Sequence, residues 1–515
     1  MKRTPLVSQG TLHRLLQSAE QAWRNREFDE NIELLRRASR LDPANPLILL
    51  QLGRMLGLKW DYSEAKECFE KAIRIAGDKV DILTKAGIQC RDLRDPGLAE
   101  NFFRRASDDK NATAHTMTYL AEILERLRRI PEAFDTIEKA LQKDSACASA
   151  LLAKARLLRQ IGNLNEAESI VQFAVRNGTR EVRIRALYEQ AGILDRLGRH
   201  DEAMTSFQLA KALILPEAPP HRAELYATRE RLANMRAGLS QAQLQRWIDA
   251  APEFCNPQKL SLLCGHPRSG TTLLEQVLDS HPAITSAEES EVFHDYAYVP
   301  LTRGLPDAAG MLEVLERANV IDLQKSRDNY LIAVERLLGS PLDGRLVVDK
   351  NPSLTFLIPA FVRVFPEIKI LVALRDPRDV CLSCFMQPFY PIGSTSSAYL
   401  TLAETIDEYV ALMTNWLKFR PMLAGRFLEV RYEDMVMNLE SVARDVMRFL
   451  EIEWNDKIVR FNEHAQKKVV RSPTYADVAK PLFNTAVGRW HPYAKFLEPY
   501  VEKLQPFISA FGYNK

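Results

Sequence analysis

The sequence predicts two architectures in one chain, an all-α repeat solenoid followed by an α/β domain with a mostly parallel sheet. Small and bulky residues recur with a 34-residue period through the first 214 residues. From Lys259 onward, short apolar runs alternate with longer helical segments. The first of those runs leads directly into a glycine-flanked loop and then a helix, the arrangement of an anion-binding loop.

The repeat shows in three interlocked registers. Ala65, Ala99, Ala133 and Ala167 are 34 residues apart, with Ala203 a further 36 on. Ala38, Ala72, Ala106, Ala140 and Ala174 keep the same step, and Leu35, Phe69, Phe103, Ile137, Val171 and Phe207 form a bulky series. Twelve residues before the first series stand Gly53, Gly87, Ala121, Ala155 and Ala191. Small residues at that spacing let two antiparallel helices approach closely, and the bulky position fills the gap to the next pair. Pro43 falls where a helix must stop. The pattern resembles the tetratricopeptide repeat, with about six units over residues 15–214 and little of the consensus Trp and Tyr. That resemblance implies a solenoid, residues 1–214, whose concave groove takes a peptide or partner protein and which carries no chemistry of its own.

Leu213–Pro220, with three prolines, breaks the pattern and opens a helical linker over 215–256. One helix is expected over about His221–Ala237, and a second after Ser240, a suitable N-cap. The segment from Ala250 to Lys259 leads into the domain over 257–515, with strands expected at 260–264, 346–348, 368–374 and 427–430. Their nearly continuous apolar character suits strands buried on both faces.

The loop runs from Gly265 through Arg268, Ser269 and Gly270 to Thr271 and Thr272, then the helix begins. Backbone N–H groups and two hydroxyls at a helix N-terminus fit an anion. The glycine spacing is that of a nucleotide P-loop, but Thr271 stands where its Lys belongs, and Arg268 can supply the charge instead. A second strand ends in Arg375, with Ser383 eight residues on, and a third ends in Arg431-Tyr432-Glu433-Asp434.

These three motifs, in order, resemble the sulfotransferases that use 3′-phosphoadenylyl sulfate (PAPS). Within that superfamily the sequence most resembles the tyrosylprotein sulfotransferases. The likeness rests on the loop, Leu278-Asp279-x-His281-Pro282, Glu288-Glu289, Lys350-Asn351-Pro352, Arg471-Ser472, Lys480-Pro481, Arg489-Trp490 and Gly512-Tyr513. The resemblance implies that Arg268, Ser269, Gly270, Thr271 and Thr272 cradle the 5′-phosphosulfate. It implies that Lys350 and Ser472 meet the bridging and leaving oxygens, and that Arg375, Ser383 and Arg489 hold the 3′-phosphate with Tyr432 beside the nucleotide. Glu289 is then the base, its pKa raised by its neighbour Glu288. His281 and His294 are the rival bases, and Trp490 reads as core. Gln387 departs from the family, which is basic there.

Sulfuryl transfer needs no metal, and no metal-ligand cluster is recognisable. Lys plus Arg number 69 and Asp plus Glu 67, so the net charge of +2 disfavours nucleic-acid binding on bulk charge. No run of 18 apolar residues suggests a membrane span, and the basic Met1–Pro5 lacks a following apolar stretch. Seven scattered cysteines argue against a disulfide framework, and Cys381-x-x-Cys384 reads as two helix cysteines. The expectation is a cytoplasmic PAPS-dependent sulfotransferase acting on a hydroxyl acceptor, a protein tyrosine among the candidates, with the repeats recruiting acceptor or partner. Two alternatives are an ATP-dependent P-loop kinase and a scaffold with an inactive sulfotransferase-like domain. The oligomeric state is open, a homodimer included.

Overall fold

The computed structural model describes residues 6–25, 27–254, 258–306, 309–390, 392–463 and 486–514. The chain forms two compact units, Met1–Arg199 and His200–Lys515.

In the first unit, helices α1 to α11 run Leu6–Arg24, Phe28–Leu41, Pro46–Leu58, Tyr62–Ala76, Val80–Asp92, Pro96–Asp108, Ala114–Arg126, Ile130–Lys143, Ala148–Ile161, Leu164–Asn177 and Arg180–Arg196. Polar caps start many of them: Asn45, Asp61, Asp95, Thr113 and Thr179 each accept from a backbone N–H in the first turn. Pro46 and Pro96 occupy first-turn positions whose N–H would have no helical partner. The period has a packing cause. A Cβ on Gly53 would stand 2.8 Å from the Phe69 ring, and one on Gly87 2.6 Å from Phe103. The bulky register therefore presses on the small residue of its own hairpin, a closer relation than filling the space to the next pair. The recurring alanines are buried throughout, as expected where two helix backbones meet.

The second unit begins with α12 (His200–Ile214), α13 (Ala218–Gly238) and α14 (Gln241–Asp249). Pro219 and Pro220 lie in the first turn of α13, so they start a helix. Ser240 caps α14 by accepting from Gln243 N. These helices are tied into the α/β domain. Lys211 Nζ donates to the Gln387 carbonyl at 3.1 Å. Arg222 pairs with Glu404 at 2.8 Å and Arg229 with Glu408 at 2.6 Å.

A cut before residue 200 is therefore expected to leave a cooperatively folding C-terminal fragment, and a cut before residue 257 a markedly weaker one. The shorter fragment leaves Glu404 and Glu408 without their arginine partners, at roughly 1–3 kcal/mol for each partly buried group. Thermal unfolding of the two fragments checks this, and equal midpoints would show that α12 to α14 add nothing.

The sheet is parallel throughout, in the order β2-β3-β1-β4-β5. Its strands are β1 (Leu260–Gly265), β2 (Ile284–Ser286), β3 (Leu346–Lys350), β4 (Lys369–Leu374) and β5 (Phe427–Arg431). β2 and β3 lie to one side of β1, β4 and β5 to the other, so a crevice opens at the C-terminal ends around β1. Helix α15 (Thr271–Asp279) and the helix Leu439–Leu450 cover one face, against Leu263, Val348, Leu371 and Val430. Strand alternation puts Lys350 on that face with Val348 and sends Asp349 to the other. There Tyr330 Oη donates to Asp349 Oδ2 at 2.9 Å. Among the described residues no helix is long and apolar enough to cross a membrane.

Candidate active site

β1 delivers the loop. Gly265 has φ +132° and Gly270 φ +95°, left-handed values that disfavour any side chain. A Cβ on Gly270 would also lie 2.7 Å from the Tyr432 ring, so Tyr432 packs directly on the loop. The loop is closed from within: Ser269 Oγ donates to the His266 carbonyl at 2.7 Å, so this hydroxyl serves the turn. Thr355 Oγ1 accepts from Gly265 N at 2.9 Å. Burial lowers the His266 pKa to about 4, so it stays neutral at physiological pH. Thr271 and Thr272 begin α15, and both are buried.

The sequence motifs converge on this loop. Arg268 Nε donates to Ser383 Oγ at 3.1 Å, joining the loop to the helix Pro377–Phe385 that follows β4. Arg375, at the end of β4, donates to the Arg268 carbonyl at 3.3 Å and stacks over Tyr432, 4.9 Å from its ring centre. Its guanidinium also bonds the Ala486 carbonyl and stands 3.6 Å from Asp379. Asp379 in turn accepts from Gly488 N at 2.9 Å and Trp490 N at 2.8 Å. The 486–490 segment, with exposed Arg489 in it, is thereby pinned beside Arg375. Trp490 is half-buried under the Arg378 guanidinium, 4.0 Å away, a correction to its reading as core. Ser472, with Arg471, Lys480 and Pro481, lies outside the described residues.

On the other side of β1, Lys350 ends β3 with its side chain buried. Its Nζ donates to Glu289 Oε1 at 2.7 Å and pairs with Glu275 Oε2 at 3.0 Å. Burial alone would lower its pKa, but the two carboxylates outweigh burial and hold the ammonium above its ordinary value. Glu275, from α15, was not anticipated. Burial raises its pKa, Lys350 pulls it down, Glu288 adds to the rise, and the net direction is up. This changes the expected part of Glu288. With φ +52° it turns the chain, and its charge acts on Glu275. Asp349, beside Lys350 in sequence but on the opposite face, is pushed up to about 7 chiefly by burial.

The rival bases fare differently. His281 Nδ1 accepts from Ala283 N at 3.0 Å and its Nε2 meets the Glu453 carbonyl at 3.0 Å, so both nitrogens hold the turn after α15. His294 pairs with Asp295 at 2.8 Å. Cys381 and Cys384 are free, buried thiols, and burial pushes Cys384 up to about 12.

Taken together, the edge of the sheet holds an anion loop, two arginines, a buried lysine and a carboxylate within bonding reach of it. Arg375 Nε has no hydrogen-bond partner among the described residues. These groups fit a ligand with more than one anionic centre and an acid–base step beside it.

The sulfotransferase family model matches residues 262–456, spanning β1 to β5 and every helix between them. The second unit carries a sulfotransferase-family domain. Tetratricopeptide repeat models match residues 48–79 and 152–220, so the sulfotransferase-family domain follows tetratricopeptide repeats. An uncharacterized protein of Aquifex aeolicus is 24% identical over 416 residues, covering 73% of this chain and 52% of that protein. The chain thus spans about half the length of that relative. Protein-tyrosine sulfotransferase 1 of Danio rerio is 28% identical over 271 residues, covering 50% of this chain and 72% of that enzyme. The sulfotransferase domain from the Synechococcus PCC 7002 olefin synthase is 21% identical, covers 47% of this chain and 90% of its own, and superposes with a TM-score of 0.34.

Proposed function

We propose that the sulfotransferase-family domain moves a sulfonate from PAPS to a hydroxyl, and that the repeat unit recruits the acceptor or a partner protein. The observation that carries this reading is the Lys350–Glu289 contact of 2.7 Å at the same sheet edge as the Arg268 loop. It supplies a donor for the leaving group and an acceptor for the proton in one place. In this reading Arg268, Ser269, Gly270, Thr271 and Thr272 hold the 5′-phosphosulfate. Arg375, Ser383 and Arg489 hold the 3′-phosphate, and Tyr432 backs the nucleotide.

Glu289 takes the hydroxyl proton as the new oxygen–sulfur bond forms. The bond from sulfur to the bridging phosphate oxygen breaks, and Lys350 with Ser472 donates hydrogen bonds to that oxygen. To do this Glu289 must let go of Lys350, and Glu275 keeps the ammonium charged and in place when it does. A protein tyrosine is the acceptor suggested by the likeness to the protein-tyrosine sulfotransferases.

The donor is tested by calorimetry with the desulfated product, 3′-phosphoadenosine 5′-phosphate (PAP). It should bind at about micromolar or tighter, roughly −8 kcal/mol, without added metal, while ATP with magnesium should not compete. Arg375→Ala should weaken PAP far more than adenosine 5′-phosphosulfate, which lacks the 3′-phosphate. Equal loss for both ligands would remove Arg375 from that phosphate.

A further inference from the structure

Gly512-Tyr513 is a sequence motif to which the transfer reading gives no task. It follows the helix Val501–Ala510, and Gly512 sits at φ +77°, a left-handed value that lets the chain reverse at the helix end. Gly512 N donates to the Ser509 carbonyl at 3.3 Å and Tyr513 N to the Ile508 carbonyl at 2.8 Å, which fixes the reversal. The turn delivers the tyrosine to the edge of the sheet. Its Oη donates to Glu433 Oε2 at 2.7 Å, and its ring packs against the Arg431 guanidinium, 4.3 Å away. Tyr513 is buried, and burial, with the Glu433 charge next, pushes its phenol up, so it remains a donor at physiological pH.

Glu433 joins two turns. Its other oxygen, Oε1, accepts from Asp376 N at 3.0 Å. Asp376 follows Arg375 at the end of β4, and Glu433 follows Tyr432 at the end of β5. Asp376 also caps the helix Pro377–Phe385 by accepting from Arg378 N at 2.9 Å, and it pairs with the Arg378 guanidinium at 2.6 Å. That guanidinium returns to the same tyrosine, donating to the Tyr513 carbonyl at 3.2 Å. Tyr513 thus holds the β5 turn through its hydroxyl and the β4 turn through its carbonyl. The β4–β5 ladder has its last pair at Leu374 and Arg431, so this circuit carries the register of the two turns beyond the strands. Asp376, Glu433 and Tyr513 are all buried, where a lost charge-assisted bond is not made good by water.

We propose that Tyr513 is a positioning residue for the donor: by tying the β4 and β5 turns together it sets the placement of Arg375 against Tyr432, and with it the fit of the 3′-phosphate. The proposal rests on the sulfonate-transfer reading. Arg375 and Tyr432 come from different strands and stack 4.9 Å apart, and the residue after each of them is bonded into the Tyr513 circuit. A guanidinium grips a phosphate through paired, directional hydrogen bonds, so a small shift of the turn weakens the grip while the arginine itself stays in place.

The test uses the full chain and calorimetry with PAP and adenosine 5′-phosphosulfate. Tyr513→Phe keeps the ring against Arg431 and removes the hydroxyl. It should weaken PAP by about tenfold, the lower end of the loss expected for one hydrogen bond to a charged group, and leave adenosine 5′-phosphosulfate nearly unchanged. The KM for PAPS should rise with it, and kcat at saturating PAPS should hold. In an Arg375→Ala background Tyr513→Phe should cost PAP nothing further, because its effect passes through Arg375. Glu433→Gln, which removes the charge that both donors meet, should show the same selectivity at smaller size, and it keeps the test open should Tyr513→Phe fold poorly. Equal loss for the two ligands, or a cost that persists without Arg375, would make Tyr513 a purely structural residue and overturn the proposal. PAP binding unchanged in both variants would overturn it too. Failure of PAP to bind the wild type would instead overturn the sulfonate-transfer reading beneath it.

Discussion

Glu289→Gln is expected to lower the rate of the transfer step by about 10²–10⁴, the range for loss of a general base, with PAP affinity nearly unchanged. The substitution keeps the side chain's size and an oxygen that can still accept from Lys350 Nζ, now 2.7 Å away, but it can no longer take the acceptor proton. Acceptors with an acidic hydroxyl should suffer least, because they need the base least. Glu288→Gln should cost much less, since its charge reaches the site through Glu275. His294→Ala should leave the rate within about tenfold, and His281→Ala should act on stability, because both its ring nitrogens hold backbone groups. Single-turnover transfer at saturating PAPS separates these variants. A transfer step abolished by His294→Ala and spared by Glu289→Gln would replace the carboxylate base with a histidine one.

What the sequence made legible follows from periodicity and motif order. The alanine registers located the helical hairpins because the repeats reuse small positions where two helices meet, as at Gly53 with Phe69 and Gly87 with Phe103. The strands of three motifs were legible because each is an apolar run ending in polar groups that stay at the sheet edge. β2 was not, since Ile284–Ser286 is three residues long and shows no period. Glu275 was hidden for a different reason. It sits in a run of residues that reads as an ordinary helix, and nothing local says that it turns inward. The strand parity of Lys350, which points its ammonium at α15, gives that carboxylate its cationic partner, and Ser286 Oγ donates to it as well. The same holds for α13. Nothing local to its arginines points to a partner, and Glu404, Glu408 and Asn415 are distant in sequence.

Lys350→Met should damage both function and stability, and Glu275 is the reason the two can be separated. Turnover should fall by about 10²–10³, as when one donor to a developing negative charge is removed. Stability should fall by about 3–5 kcal/mol, because removing one partner strands a buried charge; Glu275 has only 1% of its side chain exposed. The loss carries a pH signature. Glu275 already has a raised pKa, and Lys350 is the group pulling it down, so in Lys350→Met it rises further. A carboxyl whose folded pKa lies above its unfolded value is best tolerated below the unfolded value of 4.5. Stability is then lost as pH rises toward the folded value. The variant should therefore be closest to wild type near pH 4 and fall away steadily toward neutrality. Adding Glu275→Gln removes the stranded charge, so the double variant should regain most of the stability and lose the pH slope, yet recover no turnover. Denaturant unfolding of the four proteins across pH, read as a double-mutant cycle, measures the coupling. Additive losses, with the pH slope unchanged by Glu275→Gln, would show that the buried lysine and the helix carboxylate do not depend on each other.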